Sequence, residues 1–233
     1  MGMLAHIAQA KQAEYIIGLI GLFSYMVFWR VLNGPKVDVE FESIRETIMP
    51  LIERIAGFLV PSDVMFHPGH AWARVEGGDM VTVGMDDFAA KLLGSVDSIS
   101  LPEEGSKVKQ GAFGWLMNAE SKAIHMLSPV EGEVVAINRE VVDSPALAFD
   151  DPYGKGWLFK VRNGNLASNL KNMVPASMVG QWFENIREAL ACRQPALAAA
   201  ELYQDGGELV SGLAKAIDPQ GWDDLAREFL LTK

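Results

Sequence analysis

The sequence has little cysteine and little positive charge. Cys192 is the only cysteine among 233 residues, so an intrachain disulfide is excluded. The chain holds 20 Lys and Arg residues against 30 Asp and Glu residues, for a formal net charge of −10. Because so acidic a chain cannot neutralise a run of phosphates, we expect no nucleic-acid partner.

Recognisable catalytic patterns are also missing. The sequence has no Ser/His/Asp constellation, no phosphate-binding loop and no dinucleotide fingerprint. Its four histidines lack metal-ligand spacing with the single cysteine, so we expect no zinc site. We therefore predict that the chain is not an enzyme by itself.

One long run of residues lacks charge. It extends from Tyr15 to Trp29, and the wider segment Ala13–Leu32 just meets the requirement of about 20 apolar residues for crossing a bilayer. A signal peptide is the alternative, but no small-residue cleavage site follows Leu32. We expect residues 1–34 to contain a retained, single-pass transmembrane helix in the lipid bilayer.

Small residues follow one face of this predicted helix. Gly18, Gly21 and Ser24 recur at intervals of three, and such a face lets a second helix approach closely. The spacing predicts contact with other membrane protein subunits, although a plain glycine-rich apolar helix produces it too. More Lys and Arg residues follow the run than precede it, which places the soluble part on the cytoplasmic side of the cytoplasmic (inner) membrane.

Residues 35–60 show a helical repeat. Apolar residues recur at intervals of three and four from Phe41 to Phe58, which predicts an amphipathic connecting helix over roughly Glu40–Leu59. Pro50 should kink this helix, because proline lacks the N–H group of a helical hydrogen bond. Two interpretations stay open: the apolar face packs on its own domain, or it packs on a partner subunit.

The pattern changes over residues 61–165. Short apolar stretches alternate with Gly, Pro and Asp turns, which is typical of a small β-sandwich or flattened barrel. Glu76–Asp79 separates two of these stretches as a hairpin turn. Asp86–Leu93 predicts a short helix that ends at Gly94. We expect Asp86 and Asp87 to cap this helix rather than to form a catalytic pair of carboxylates.

Several segments of this region resemble the H proteins of the glycine cleavage system. They are HAWARV at His70–Val75, VTVGMDDFA at Val81–Ala89, LLGSV at Leu92–Val96, LPEEG at Leu101–Gly105, SPVEGEVVAIN at Ser128–Asn138, DSPAL at Asp143–Leu147 and DPYGKGWL at Asp151–Leu158. They occur in the family's order over about a hundred residues, which is far more specific than one short motif. The resemblance implies a mainly β central domain of the barrel-sandwich hybrid, lipoyl-domain type.

The same resemblance implies a carrier function. In the family, a lysine at a hairpin tip holds lipoate, and the swinging dithiolane passes an aminomethyl group between enzyme partners. Glu120-Ser121-Lys122-Ala123 resembles the family's ESVKA, which makes Lys122 the candidate for lipoyl attachment. A carrier lysine has to project from a tight turn with few neighbours, because a ligase must reach it.

The position of Lys122 departs from the family's pattern by one residue. The family's lysine lies eight residues before the proline of SPVSG, and the residue eight positions before Pro129 is Ser121. A one-residue shift on a strand sends a side chain to the opposite face, and serine cannot form the amide link to lipoate. The shift favours an accessory or structural subunit without a cofactor, docked on a larger membrane complex such as one for electron transfer. The alternative is a membrane-tethered lipoyl carrier with lipoate on Lys122.

Residues 166–233 exceed the short helical tail that the family usually carries. Their spacing predicts helices over Met178–Ala191, Ala196–Tyr203, Leu209–Ile217 and Trp222–Leu231. These helices form either a cap packed on the β-domain or a docking surface for a partner, anchored by Trp182, Phe183, Trp222 and Phe229. His125, beyond the hairpin tip, is either a proton-handling group or an ordinary half-exposed strand residue.

Overall fold

The structure is a computed structural model that describes residue 25 and residues 52–193, 203–204, 208–209 and 211–232. Its strands are β1 (Ile52–Ile55), β2 (Phe58–Pro61), β3 (Met65–His67), β4 (Ala71–Gly77), β5 (Met80–Met85), β6 (Ser98–Ser100), β7 (Lys107–Val108), β8 (Phe113–Ala119), β9 (Lys122–Leu127), β10 (Gly132–Ile137), β11 (Phe159–Arg162), β12 (Val174–Pro175), β13 (Tyr203–Gln204) and β14 (Glu208–Leu209). Its helices are α1 (Asp87–Leu93), α2 (Arg139–Asp143), α3 (Leu147–Asp150), α4 (Leu166–Leu170), α5 (Val179–Arg193), α6 (Leu213–Ile217) and α7 (Trp222–Phe229), with a 3₁₀ turn at Ala176–Met178.

Two antiparallel sheets enclose the core. The larger sheet has seven strands in the order β12-β3-β4-β5-β11-β10-β7, and the smaller has three in the order β6-β8-β9. Trp115 of β8 and Phe159 of β11 join the two sheets, with ring centroids 5.9 Å apart and both side chains fully buried. The mainly β central domain with C-terminal helices that the sequence predicted is confirmed.

The hairpin of β4 and β5 shows why this region forms strands. Val81 and Val83 are fully buried, and branched side chains suit a pleated, buried surface. The indole of Trp72 lies directly against Gly84, where an added Cβ would stand 2.5 Å from Trp72 Cζ2. Trp72 Nε1 donates to the Pro152 carbonyl at 3.0 Å. Glycine at position 84 therefore provides the space that the buried indole occupies.

The short helix predicted after β5 is confirmed as α1. Asp86 precedes it, and its Oδ1 accepts a hydrogen bond from the Ala89 N–H group at 2.8 Å, as an N-cap residue does. Gly94 ends the helix with a φ of 80°, a left-handed conformation that glycine adopts without steric cost. The capping role predicted for Asp86 is thus confirmed. Its other oxygen lies 2.8 Å from His70 Nδ1. For Asp87 the capping role is wrong, because its carboxylate accepts from the Leu59 N–H group of β2 and from Lys91.

The connecting helix predicted over roughly Glu40–Leu59 is wrong for its last eight residues. Strands β1 and β2 pair there as a hairpin that turns at Ala56 and Gly57, with φ values of 53° and 91°. The Ala-Gly step supplies the left-handed turn that a two-residue hairpin needs. Fully buried Phe58 fitted the helical spacing, but it belongs to a strand. Residues 40–51 lie outside the described part of the chain.

The predicted transmembrane segment also lies outside the described residues, apart from Tyr25. Among the residues that are described, no helix is long and apolar enough to cross a membrane. The small-residue face at Gly18, Gly21 and Ser24 belongs to the same undescribed segment. Membrane attachment and contacts with membrane subunits thus stay predictions from the sequence.

The C-terminal helices partly follow the prediction. Helices α5 and α7 lie close to the predicted ranges, but α6 starts at Leu213 rather than at Leu209. Leu209 belongs instead to β14, which pairs with β13. Most of the helix predicted over Ala196–Tyr203 lies outside the described residues, and its last residue, Tyr203, is in β13.

The aromatic residues of these helices face the domain. Phe183 and Trp222 are buried, and Trp182 stacks on His70 with ring centroids 4.7 Å apart. Phe229 lies 5.8 Å from Phe88 of α1, again between ring centroids. The interpretation as anchors for a partner is therefore wrong for Phe183 and Trp222, which their own domain covers. For Trp182 and Phe229, which are half-buried, it stays a prediction. The interpretation as a packed helical cap is confirmed.

The contact between Trp72 and Gly84 predicts that adding a single methyl group at position 84 destabilises the fold. Gly84→Ala should lower the free energy of unfolding by about 1–3 kcal/mol, because overpacking displaces the buried indole. Urea denaturation followed by circular dichroism measures this change. Gly164→Ala is the matched control, since an added Cβ there meets no atom within 4 Å. Equal stability of the two variants would contradict this account of the packing.

Candidate functional site

The hairpin of β8 and β9 carries the candidate lysine. Ala119 and Lys122 are the last paired residues, so Glu120 and Ser121 form a two-residue turn. Both turn residues have positive φ, 50° for Glu120 and 67° for Ser121, as a type I′ turn requires. The turn thereby fixes which residues of the hairpin lie at its apex.

Lys122 lies one step below that apex. It is the first residue of β9 and shares a strand face with Ile124 and Met126, both fully buried. Ser121 occupies the second position of the turn and is exposed. The amine-bearing side chain therefore starts on the inward face, and the hydroxyl side chain occupies the apex.

The C-terminal helices engage the Lys122 amine. Its Nζ donates to a carboxylate oxygen of Asp223, in the first turn of α7, and lies 3.3 Å from the Gln220 carbonyl oxygen. It also lies 5.5 Å from the centroid of the Trp222 ring, within the range of a cation–π contact. About a third of the Lys122 side chain stays exposed, 35% by area.

A second ion pair joins the turn to the same helices. Lys215 of α6 donates to Glu120 Oε1 at 2.8 Å. Its Nζ also lies 4.9 Å from the centroid of the Trp222 ring. Trp222, 2% exposed, thus has two lysine cations over its ring. The turn is held by one ion pair through Lys122 and another through Glu120.

The charge of Lys122 affects its carboxylate partner. The hydrogen bond from Lys122 is the largest influence on Asp223 and lowers the pKa of its carboxyl group, against the opposing effect of burial. Arg227 adds to the lowering, with Nη1 3.0 Å from the second carboxylate oxygen. Asp223 is therefore a carboxylate stabilised by two cations.

Comparison with known proteins identifies the domain that holds this hairpin. The family model of the glycine cleavage H-protein matches residues 64–185, more than half of the chain. The chain belongs to the glycine cleavage H-protein family. The resemblance inferred from the sequence is thus confirmed, and the match continues past residue 165 into α5.

Individual H proteins are similar over the same region. A probable glycine cleavage system H protein of Aeropyrum pernix is 34% identical over 131 residues, covering 56% of this chain and 82% of the relative. The H protein of Marinobacter nauticus is 41% identical over 103 residues, covering 44% of this chain and 79% of the relative. A crystal structure of the H protein of Mycobacterium marinum is 28% identical and covers 52% of this chain and 98% of that one, with a TM-score of 0.47.

The other titratable residues considered in the H-protein domain either contact neighbouring aromatic rings or are buried. His125 is exposed on β9, with its ring centroid 5.4 Å from that of Phe113. His70 is buried between Asp86 and Trp182. Asp87 is also buried, and its desolvation raises the pKa of its carboxyl group, with Lys91 opposing the shift. In the part of the chain that is described, no group of three or more His, Cys, Asp or Glu residues could hold a metal ion.

Asp223 is a site residue that the sequence did not indicate. It lies 101 positions from Lys122 along the chain, and no local pattern links residues so far apart. The only available indication was its helix, which was predicted correctly from apolar spacing. Because α7 carries acidic residues at both 223 and 224, the pattern also gave no reason to prefer one of them as a partner.

The turn conformation predicts that glycine stabilises the hairpin. Ser121→Gly should raise the free energy of unfolding by about 1 kcal/mol, because a left-handed conformation costs non-glycine residues roughly that amount. Ser121→Ala is the matched control, since it removes the hydroxyl group but keeps the side chain that opposes positive φ. Thermal denaturation compares the two variants. If the free energy of unfolding rises in both variants, or in neither, backbone strain at position 121 is excluded as the cause of the change.

The Lys122 contact predicts a shift in the titration of Asp223. Because Lys122 lowers the pKa of Asp223, their pairing stabilises the fold above the ordinary aspartate pKa of about 3.9 and is lost as the pH falls through the lower, folded value. Lys122→Met should move the Asp223 pKa upward, as followed by NMR of its carboxyl carbon. Lys109→Met is the control, because Lys109 has no part in the lowering of the Asp223 pKa. An unchanged Asp223 pKa in Lys122→Met would rule out the pairing in solution.

Proposed function

We propose that this chain is a carrier protein in which Lys122 holds lipoate through an amide bond and presents it to enzyme partners, as in the glycine cleavage system. Membership of the H-protein family supports a carrier in place of a catalyst. The observation that carries the proposal is the position of Lys122 at the β8–β9 hairpin, beside a two-residue turn. It is the only lysine between Lys109 and Lys155, so no other lysine of this hairpin competes for the role.

The residues at the tip suit such a group chemically. An amine forms the required amide, whereas the hydroxyl group of Ser121 does not. The Lys122 side chain has four methylene groups and a partly exposed end, so rotation about its bonds can carry the amine past the turn. When bound, lipoate supplies a disulfide that accepts and releases a carried group. The chain's own residues then provide the anchor and the surface on which partners dock.

A second function is favoured by a different observation. Ser121, not Lys122, occupies the second turn position, and the Lys122 amine is already paired with Asp223. These features support an unmodified accessory subunit, with the H-protein domain serving as a docking module in a larger complex. Attachment of that complex to the cytoplasmic membrane rests on the sequence of residues 13–32, which are not described apart from Tyr25.

Mass spectrometry of the full-length chain distinguishes the two functions. Co-expression with a lipoate ligase and lipoate should add about 188 Da, the mass that lipoate adds to an amine, and peptide mapping should assign it to Lys122. Lys122→Arg should abolish the addition, whereas Lys155→Arg should not. A glycine cleavage H protein expressed alongside serves as the positive control for the ligase.

A variant with exchanged residues tests the register directly. Ser121→Lys combined with Lys122→Ser moves the amine to the second turn position. If this variant is lipoylated and the natural sequence keeps its bare mass, the carrier function is wrong and the accessory function stands. If the natural sequence gains the lipoyl mass on Lys122, the accessory function without a cofactor is wrong.

A further inference from the structure

The last described helices of the chain cover the hairpin that holds Lys122. We call residues Leu213–Leu230, which contain α6 and α7, the C-terminal cap. The cap contributes the Asp223 carboxylate, the Gln220 carbonyl oxygen and the Trp222 ring to the surroundings of the Lys122 amine. All three groups come from one short stretch around the start of α7.

The cap has an apolar side that is packed firmly. Its buried residues are Leu213, Ala214, Trp222, Leu225, Ala226 and Leu230. At the start of the cap, the Gly212 N–H group donates to the Lys91 carbonyl of α1 at 2.8 Å. Near its end, Phe229 contacts Phe88 of α1. These contacts hold the cap against α1, while α7 also packs on β9, the strand of Lys122.

The side of the cap toward the turn is mostly polar. Asp223 pairs with Lys122, and Lys215 pairs with Glu120. Trp222 is the apolar exception, and it presents its ring to both lysines. Ion pairs at partly exposed positions are weak and exchange readily with water. Opening the two ion pairs can therefore free the Lys122 amine while α6 stays packed on α1.

Acylation of Lys122 requires that its ion pair with Asp223 open first. The amine nitrogen must lose a proton and use its electron pair to attack an activated carbonyl carbon; the new C–N bond then forms as the bond to the leaving group breaks. A lysine cation paired with Asp223 has no free electron pair. Gln220 and Trp222 also occupy the space beside the nitrogen, where an acyl donor would have to approach.

We propose that the C-terminal cap is an autoinhibitory element, which shields Lys122 until its ion pairs with the hairpin open. The proposal rests on the function proposed above only for the identity of the acyl group. The shielding itself depends on contacts present in the unmodified chain. Asp223 is then a positioning residue, because it acts by holding the Lys122 amine.

A small acylating reagent measures shielding without any ligase. The full-length chain is treated with N-acetoxysuccinimide, and the acetylation rate of Lys122 is followed by peptide mass spectrometry relative to exposed Lys155. Asp223→Asn should raise the Lys122 rate about fivefold, the effect expected from losing one partly exposed ion pair. Asp224→Asn is the matched control: the same charge is removed from the same helix, at a side chain that is 84% exposed and pairs with Arg227.

A second variant tests the cap without altering a partner of Lys122. Lys215→Glu places a negative charge beside Glu120, so repulsion should replace the ion pair and raise the Lys122 rate as well. Circular dichroism confirms that each variant is folded. If neither Asp223→Asn nor Lys215→Glu exceeds Asp224→Asn in the rate of Lys122 acetylation, the cap does not shield the lysine and the proposal is overturned.

The same variants separate this proposal from the carrier function. Each is also incubated with lipoate ligase, ATP and lipoate, and the lipoyl mass on Lys122 is measured. Faster acetylation together with faster lipoylation in Asp223→Asn supports both proposals. Faster acetylation without any lipoylation supports the cap and contradicts the carrier function. Lipoylation with unchanged acetylation supports the carrier function and contradicts the cap.

Discussion

The register of the β8–β9 hairpin is the constraint on which the functional site depends. Because the turn has only two residues, once Ala119 faces Lys122 the orientation of the side chains from Lys122 to Met126 is fixed. Ile124 and Met126 must be inside to fill the core between the sheets, and Lys122 shares their face. Slipping the strand by one residue to move the lysine outward would also expose Ile124 and Met126. The energy of the core therefore determines where the amine emerges.

The packing that maintains the family fold is separate from the residues at the turn. The contact of Trp115 with Phe159 and the close fit of Trp72 on Gly84 maintain the two sheets. Neither contact depends on the residues at the turn. The tip is consequently free to differ from the family's pattern without loss of the fold. The turn itself has a local free-energy cost, because two non-glycine residues adopt positive φ. The ion pairs that Glu120 and Lys122 form with the cap offset this cost.

The sequence predicted the features that local chemistry determines. Alternating apolar residues and turn residues identified most strands of the central domain, and Asp86 with Gly94 marked both ends of α1. The prediction was wrong at Phe58, where apolar residues at intervals of three and four fell by chance on a hairpin with an Ala-Gly turn. It placed Lys122 beside the turn and Ser121 in the turn, as the structure has them, because both positions follow from counting along the chain; attachment of lipoate to Lys122 stays a prediction. The pairing with Asp223 could not be predicted, since it depends on how α7 packs across the fold.

The charge arrangement around Asp223 favours the capped state when Lys122 is unmodified. An amide nitrogen carries no positive charge, so acylation of Lys122 would remove one of the two cations that stabilise the Asp223 carboxylate. Arg227, 3.0 Å from the other oxygen, would still neutralise it, and Asp223 would not be left as an unpaired charge. Lys215 and Glu120 would lose nothing directly, because their ion pair does not include the modified nitrogen. Acylation would thus remove the ion pair with Asp223 and the cation–π contact with Trp222, whereas the Lys215–Glu120 ion pair and the contact of the cap with α1 would remain.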